Sequence, residues 1–370
     1  MNILVTGADG FIAKNLIQRL KENNFTNITE FNRNNSFDDL KKSIASCDAL
    51  FHLAGANRPT NDNDFKSTNE DLTQLICNFA IENNKNIPIF FSSSTQFNNG
   101  SLYGNSKQNA ENIIQSSIGD VLRSAYIYRL PGVFGKWAKP NYNSVVATFC
   151  SNIANDIPVE IDDQSKLIDL VFIDDLIELF LYDLKNIKEG VFFPVTPKIS
   201  KISLGDLADQ INKFKESRDS LILEKVGNGL IRALYSTYVT YLPKSKFTYK
   251  VQSHDDSRGS FVEMAKTHNS GQFSYFTAHP GITRGSHYHH TKTEKFLVIQ
   301  GNARFRFKNI ISNEYYEIYV NGKEPSVVET IPGWSHDIKN TGEDILIVML
   351  WANEIFDLDN PDTFQVEISK

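Results

Sequence analysis

The pattern of apolar residues changes once along this chain, near residues 244–256. Before this point, short runs of consecutive apolar residues such as 3–5 and 87–91 alternate with stretches of helical spacing such as 11–20. Continuous apolar strands separated by helices predict a parallel sheet covered on both faces. From Arg258 onward, short alternating strands are broken by Gly, Asn and Pro, which predicts an antiparallel sandwich or barrel.

We therefore predict an α/β domain over residues 1–245 and an all-β domain over residues 246–370, since 370 residues exceed one ordinary core. Further predicted strands of the first domain are 28–31, 49–53, 121–129 and 168–171, and its further helices are 174–184 and 204–214. The predicted strands of the second domain are 272–276, 295–299, 303–307, 315–320, 326–331 and 345–351.

Composition excludes several classes of protein. The net charge of −6 and the absence of a basic run of five residues argue against a nucleic-acid or anionic membrane surface. No apolar run reaches the length of a membrane span, and the N-terminus has no basic segment typical of a secretion signal. The odd set of Cys47, Cys77 and Cys150 predicts reduced core thiols and a cytoplasmic protein.

A glycine turn follows the first predicted strand and opens the first predicted helix. Gly7 and Gly10, followed by Phe11 and Ile12, let backbone amides and a helix N-terminus face a pyrophosphate, although a plain strand-to-helix turn has the same appearance. The second strand ends without the acidic residue that holds the ribose of NAD. Arg33 stands there instead, which favours NADP(H) unless it is an ordinary exposed arginine.

Tyr103 and Lys107 are four residues apart, which on a helix places both side chains on one face. A neighbouring ammonium favours tyrosinate and is expected to lower the pKa of the phenol toward a value useful for acid–base chemistry. Ser94 ends a predicted strand and is a candidate to hold a substrate oxygen, with Ser93 and Thr95 as alternatives. This trio predicts a site for acid–base chemistry on a substrate oxygen.

The C-terminal part contains a cluster of potential metal ligands. His287 and His289 share a face if both lie on one strand, because side chains alternate with period two. Glu294 follows on the next predicted strand, and His336 comes from a much later one. Three imidazoles and a carboxylate suit Zn²⁺ or another first-row divalent ion.

The N-terminal motifs resemble the extended short-chain dehydrogenases that act on nucleotide sugars. The resemblance covers about residues 1–245, with Ala13 at the position of a usual third glycine. It implies that Tyr103 protonates a keto oxygen and that Lys107 binds the nicotinamide ribose. The implied cofactor-binding residues are Gly7, Gly10, Phe11, Ile12, Arg33, Leu53, Ala54, Gly55, Tyr103, Lys107 and Pro131, and the implied substrate-binding residues are Asn57, Arg58, Lys136 and Trp137.

The C-terminal motifs resemble the cupin superfamily, which implies a jelly-roll barrel. The segments 256–261 and 283–288 are also similar to a metal-free branch, the dTDP-sugar 3,5-epimerases, in which the residue at the His287 position is a general base. One imidazole cannot easily coordinate a metal and accept a proton, because both use the same lone pair. The additional His289, His290 and Glu294 favour the metal. In that case His290, Tyr288 or Lys292 is the candidate proton carrier.

Over its whole length the chain resembles a family of bifunctional enzymes of capsular polysaccharide synthesis. The resemblance implies a UDP-linked 4-keto-6-deoxy amino sugar as substrate, C3 epimerisation by the cupin and C4 reduction by the reductase, giving UDP-2-acetamido-2,6-dideoxy-β-L-talose on the way to UDP-N-acetyl-L-fucosamine. It also implies a homodimer and bound zinc. Two alternatives are a single-activity reductase whose cupin only binds ligand or dimerises, and a non-catalytic NADPH-binding scaffold.

Overall fold

The computed structural model describes residues 1–59, 61–83, 85–119, 122–196, 198–359 and 361–368. The chain forms two compact units. The first consists of residues 1–211 and 228–243, and the second of residues 212–227 and 244–370. Residues 212–227, which the sequence-based division assigns to the N-terminal domain, thus group with the C-terminal residues.

The first unit alternates strands and helices. Its strands are β1 (Ile3–Thr6), β2 (Ile28–Phe31), β3 (Ala49–His52), β4 (Ile87–Ser94), β5 (Leu122–Leu130), β6 (Gly132–Phe134), β7 (Leu167–Phe172), β8 (Gly190–Phe192) and β9 (Ser200–Ser203). Its helices are α1 (Phe11–Glu22), α2 (Phe37–Ser46), α3 (Asn63–Phe65), α4 (Leu72–Glu82), α5 (Leu102–Ser116), α6 (Val145–Ala154), α7 (Ile173–Lys185), α8 (Leu204–Ser220), whose end belongs to the second unit, and α9 (Gly229–Val239). A π-helical segment, Lys66–Asp71, joins α3 to α4.

Six of these strands form one parallel sheet in the order β2-β1-β3-β4-β5-β8. The chain passes from β1 to β2 on one side and then to β3 on the other side, so the strand order reverses beside β1. In sheets of this kind ligands bind outside the carboxyl ends of the strands at such a reversal. A smaller sheet, β6-β7-β9, lies beyond β5 in the chain.

The parallel sheet is buried on both faces, as the continuous apolar runs predict. Ile3 and Val5 of β1 belong to one core cluster, which also contains side chains of α1 and α7, whereas Leu4 belongs to a second cluster with side chains of α2, α4 and α5. Successive residues of a strand point to opposite faces, so an uninterrupted apolar strand supplies both cores at once.

The second unit is built from strands. They are β10 (Ser253–Asp256), β11 (Gly259–Thr267), β12 (Gly271–Ala278), β13 (Thr283–Tyr288), β14 (Glu294–Gln300), β15 (Asn302–Asn309), β16 (Tyr315–Asn321), β17 (Val327–Glu329), β18 (Trp334–Asn340), β19 (Leu346–Ala352) and β20 (Phe364–Gln365). One sheet has the order β10-β11-β12-β19-β14-β17 and the other has the order β16-β15-β18-β13-β20. All the pairings within these two sheets are antiparallel.

The core of the second unit contains side chains of both antiparallel sheets. Phe276 and Phe296 come from the six-stranded sheet, and Phe305 and Phe307 come from the five-stranded sheet.

The predicted fold class, a doubly wound parallel sheet followed by an antiparallel β structure, is confirmed. In the part of the chain that the structure describes, no helix is both long enough and apolar enough to span a bilayer. Residue 121, the predicted start of one strand, lies outside the described residues.

Candidate functional site

The glycine turn between β1 and α1 has the geometry of a phosphate-binding turn. Gly7 has a φ of +68°, and a Cβ at this position would lie 2.7 Å from the backbone nitrogen of Ala54. Only glycine fits a position with this φ and this close approach. Gly10 is the N-cap of α1 without a side-chain capping bond, so the first amides of the helix point into the adjacent cleft.

The loop after β3 is fixed from two sides. Thr6 Oγ1 lies 2.8 Å from His52 Nδ1 and accepts a hydrogen bond from the Ala54 amide at 3.2 Å. Asn69 holds Ala56 through both backbone groups, accepting from its amide at 2.8 Å and donating to its carbonyl at 3.0 Å. Burial lowers the pKa of His52 to about 3, so this histidine is a neutral structural residue.

The structure brings Ser94, Tyr103 and Lys107 together at the carboxyl end of β4. Tyr103 and Lys107 lie one turn apart on α5, and the Tyr103 side chain hydrogen-bonds the side chains of Ser94 and Asn57. The hydroxyls of the two alternatives to Ser94 have other partners. The Ser93 hydroxyl donates to Glu111 at 2.5 Å, and the Thr95 hydroxyl donates to the Leu130 carbonyl at 3.4 Å.

Burial determines the protonation behaviour of this pair. It raises the pKa of Tyr103, and the hydrogen bonds to Ser94 and Asn57 offset this only in part, so the lowering expected from the Lys107 ammonium is not found in the structure. Burial also lowers the pKa of Lys107 to about 8, against an opposing effect of Glu111. The Lys107 ammonium donates to the Ser92 carbonyl at 2.9 Å. Tyr103 is thus protonated at neutral pH, as a proton donor must be.

The sequence analysis did not identify Glu111 as part of this site. Glu111 lies one turn after Lys107 on the same face of α5. Its buried carboxylate accepts hydrogen bonds from Ser93 and from Arg129, at 2.8 Å from Arg129 Nη2. The guanidinium of Arg129 lies over the ring of Phe97, 3.5 Å from its centroid. Its spacing of four residues from Lys107 could have indicated this contact, because residues four apart are neighbours on a helix.

Ser94, Tyr103 and Lys107 line a cleft of about 2460 Å³ in the first unit. This volume exceeds the roughly 300–1,000 Å³ of a single small-molecule pocket and accommodates a dinucleotide beside a second ligand. Of the predicted cofactor- and substrate-binding residues, those that line the cleft are Gly7, Gly10, Phe11, Ile12, Arg33, Leu53, Ala54, Gly55, Asn57, Arg58, Tyr103, Lys107, Pro131 and Trp137. Lys136 is outside this lining and pairs with Asp174 at 2.7 Å.

In the second unit the structure brings His287, His289, Glu294 and His336 together. One potential ligand atom from each lies within 4.8 Å of those of the others. His287 and His336 are paired across β13 and β18, whereas Glu294 begins β14 of the other sheet. His289 lies in the turn after β13, not on the strand with His287 as the spacing predicted. A register shift after Gly285 and the positive φ of Ser286 re-aim the end of this strand.

The chemistry of this donor set fits a divalent cation. His289 Nδ1 hydrogen-bonds the main-chain carbonyl of Asp362, which can only accept, so Nδ1 carries the hydrogen and the lone pair of the neutral ring is on Nε2. That Nε2 lies 3.2 Å from a Glu294 carboxylate oxygen, and His336 Nε2 lies 3.2 Å from the same oxygen. His289 Nε2 and the Glu294 oxygen are therefore both acceptors. Such a pair requires either a second proton on the imidazole or a cation between the two atoms.

The three candidate proton carriers differ in their position. The ammonium of Lys292 is buried and lies 3.7 Å from a Glu294 carboxylate oxygen. Tyr288 stacks on Phe364 with a centroid distance of 5.2 Å, and the exposed His290 packs edge-on against the same ring at 4.9 Å. Lys292 is therefore the candidate in contact with the ligand cluster.

Comparisons with known proteins find matches to both parts of the chain. A model of the NAD dependent epimerase/dehydratase family matches residues 3–193. The chain belongs to this family. Within the family it carries a second domain, because a model of the polysaccharide biosynthesis C-terminal domain matches residues 254–364.

Two relatives match over the whole length of the chain. A Pseudomonas aeruginosa protein named UDP-2-acetamido-2,6-beta-L-arabino-hexul-4-ose reductase is 50% identical over 371 residues, with 100% of each chain covered. The crystal structure of the capsular polysaccharide assembling protein CapF from Staphylococcus aureus has a TM-score of 0.90 at 38% identity, again with 100% of both chains covered. The predicted resemblance to the capsule enzymes is thereby confirmed.

A more distant likeness concerns the fold alone. A UDP-glucuronic acid 4-epimerase from Bacillus cereus, solved in complex with NAD, matches with a TM-score of 0.54 at 18% identity. It covers 65% of this chain and 96% of the epimerase.

Proposed function

We propose that this chain is a bifunctional enzyme that epimerises C3 of a UDP-2-acetamido-2,6-dideoxy-hexos-4-ulose in the C-terminal unit and reduces its C4 ketone with NADPH in the N-terminal unit. The observation that carries the reductase half is the convergence of Ser94, Tyr103 and Lys107 in the cleft that the glycine turn also lines. The name of the Pseudomonas aeruginosa relative, a UDP-sugar reductase, supports the substrate class.

In the reduction, Ser94 and Tyr103 hold the C4 oxygen, and Tyr103 donates its phenolic proton to that oxygen as the carbonyl carbon gains a hydride. When bound in the cleft, NADPH would supply this hydride and be oxidised to NADP⁺. The Lys107 ammonium stabilises the tyrosinate that forms, because it is buried on the same helical face. Asn57 shares the Tyr103 hydroxyl with Ser94 and orients it.

The preference for NADPH rests on the end of β2. Arg33 is exposed and lines the cleft, and no acidic residue lies between Phe31 and the next helix, which begins at Phe37. A guanidinium at this position pairs with a ribose 2′-phosphate, whereas an acidic side chain would select the unmodified ribose.

In the epimerisation, a base removes the C3 proton, which the adjacent C4 ketone acidifies, and a proton returns to the opposite face of C3. A divalent ion, which we propose to be Zn²⁺, would be held by His287, His289, Glu294 and His336, and would polarise the ketone when bound. Lys292 is our candidate proton carrier, because its ammonium lies beside Glu294. Epimerisation precedes reduction, since loss of the ketone removes the acidity of C3.

The likeness to the capsule enzymes supports the remaining parts of the proposal. They are the product UDP-2-acetamido-2,6-dideoxy-β-L-talose, its use in making UDP-N-acetyl-L-fucosamine, a homodimeric assembly and a cytoplasmic location. The buried, unpaired state of Cys47, Cys77 and Cys150 suits a reducing compartment.

The decisive experiment is a mass-spectrometric time course with the 4-keto UDP-sugar in D₂O, with and without NADPH. Without NADPH we expect deuterium to appear at C3 while the ketone persists. With NADPH we expect a product heavier by two hydrogens that retains the deuterium. Reduction without deuterium incorporation identifies a single-activity reductase, and no consumption of the sugar under either condition refutes the proposed function as a whole.

A further inference from the structure

The C-terminal segment of the chain contacts the proposed metal ligands through one acidic residue. The Asp362 carboxylate accepts hydrogen bonds from the backbone amides of His290, Thr291 and Lys292 at 2.9, 2.7 and 2.9 Å. The Thr291 hydroxyl donates to the same carboxylate at 2.9 Å. These three consecutive amides belong to the turn that joins β13 to β14, which is the turn that carries His289.

The main chain of Asp362 makes a separate contact with a ligand. Its carbonyl accepts the Nδ1 hydrogen of His289, which leaves Nε2 directed at Glu294. A carbonyl or carboxylate behind a histidine fixes both the tautomer and the ring orientation that metal binding requires. One residue thus holds the turn with its side chain and the ligand ring with its backbone.

Asp362 is itself anchored by the strand that follows it. β20 pairs with β13, with Gln365 opposite His287 and Phe364 opposite Tyr288. The Val366 amide donates to the Ser286 carbonyl at 2.9 Å. The segment therefore runs beside the first ligand strand directly after its contacts with the turn, and this pairing holds it in place independently of an ion.

We propose that Asp362 is a positioning residue for the metal site, fixing the turn 289–293 so that His289 Nε2 and Lys292 face Glu294. This inference rests on the proposed function of the C-terminal unit. It goes beyond that function, because Asp362 is not one of the proposed metal ligands. Asp362 instead acts through His289 and Lys292.

The test measures zinc affinity in the full-length protein by competition with a chromophoric chelator. Asp362→Ala removes the carboxylate that accepts from the turn but keeps the main-chain carbonyl behind His289. We expect this variant to bind zinc about 10-fold to 100-fold more weakly, the usual effect of losing a group that orients a metal ligand. Asp362→Asn keeps one acceptor oxygen in a side chain of the same shape, so we expect a smaller loss. Asp359→Ala, an exposed acid of the same segment, is the matched control and should bind zinc like the wild type.

Thermal unfolding of the metal-free and zinc-loaded proteins separates positioning from folding. We expect the metal-free variants to unfold near the wild-type temperature and to gain less stability from zinc. If Asp362→Ala does not fold, Asp362→Asn decides. Wild-type zinc affinity in a folded Asp362 variant overturns this inference while leaving the metal site intact. A wild-type protein that binds no zinc overturns the proposed metal site and this inference with it.

Discussion

The two candidate sites differ in how the chain assembles them. In the first unit Ser94, Tyr103 and Lys107 come from one short stretch that includes the end of β4 and the start of α5. In the second unit the four potential ligands come from β13, the turn after it, β14 and β18, which belong to two different sheets. The first site is mainly a product of local geometry, and the second is a product of strand pairing.

The sites also differ in what keeps them stable. The reductase site contains neutral hydrogen-bonding groups and one buried ammonium, which donates to the Ser92 carbonyl and is favoured by the Glu111 carboxylate. The C-terminal cluster instead concentrates lone pairs, with two histidine nitrogens facing one carboxylate oxygen. Such a group is costly to bury without a cation. From this difference we predict that the first site keeps its arrangement without a cofactor, whereas the second needs an ion to be stable.

The largest expected effect separates the chemistry of the first site from its binding function. Tyr103→Phe removes the proton donor but keeps the ring, so we expect reduction to fall by about 10²-fold to 10⁴-fold. NADPH binding, followed by fluorescence titration, should be unchanged, as should deuterium incorporation at C3. Tyr182→Phe, at an exposed position of α7, is the control. Undiminished NADPH oxidation by Tyr103→Phe would contradict the assignment.

The second prediction tests the dependence on an ion. Glu294→Gln removes the carboxylate shared by His289 and His336, and we expect zinc affinity and C3 exchange to fall by at least about 100-fold, beyond the usual loss for an outer-shell residue. Reduction of an already epimerised substrate should continue. Glu329→Gln, which alters an exposed acid paired with Lys295, is the control. Equal loss of both activities would show that the two sites are not separable in this way.

The third prediction concerns the cofactor. Arg33→Ala should raise the KM for NADPH by about tenfold and leave the KM for NADH nearly unchanged. A tenfold change corresponds to about 1.4 kcal/mol, the size expected for one exposed charge-assisted contact to a phosphate. Steady-state kinetics with the two cofactors measures the ratio. Arg123→Ala, which removes an exposed arginine paired with Glu189, should leave the ratio as it is. A parallel change with both cofactors would exclude a specific role for Arg33 at the 2′-phosphate.

The smallest expected effect is a shift in pH dependence. The charged form of Lys107 is lost as the pH rises through its pKa of about 8, so the rate of reduction should decline above that pH. Glu111 favours the charged form, and Glu111→Gln should therefore move this decline to lower pH. The pH profile of kcat/KM measures the shift, with Glu82→Gln on the surface as control. If the decline of kcat/KM occurs at the same pH in Glu111→Gln and in the wild type, Glu111 does not raise the pKa of Lys107.

The sequence predicted a large part of the first site because its signals are local. Tyr103 and Lys107 share a helical face, and the glycine turn directly follows a strand, so neighbouring residues suffice to place them. The choice of Ser94 over Ser93 was not local, since it depends on Ser93 turning toward Glu111. The pKa of Tyr103 was predicted in the wrong direction, because the extent of burial cannot be read from the spacing of two residues.

By itself, the sequence determined the fold class and the residue types of both sites, because the period of apolar residues and the spacing of motifs are properties of neighbours in the chain. Only the tertiary structure decided that His336 pairs with His287, that His289 leaves the strand, and that Asp362 reaches back to its turn. These contacts join residues far apart in the chain. Their geometry follows from strand order, register and a local bulge, which depend on the packing of the whole unit.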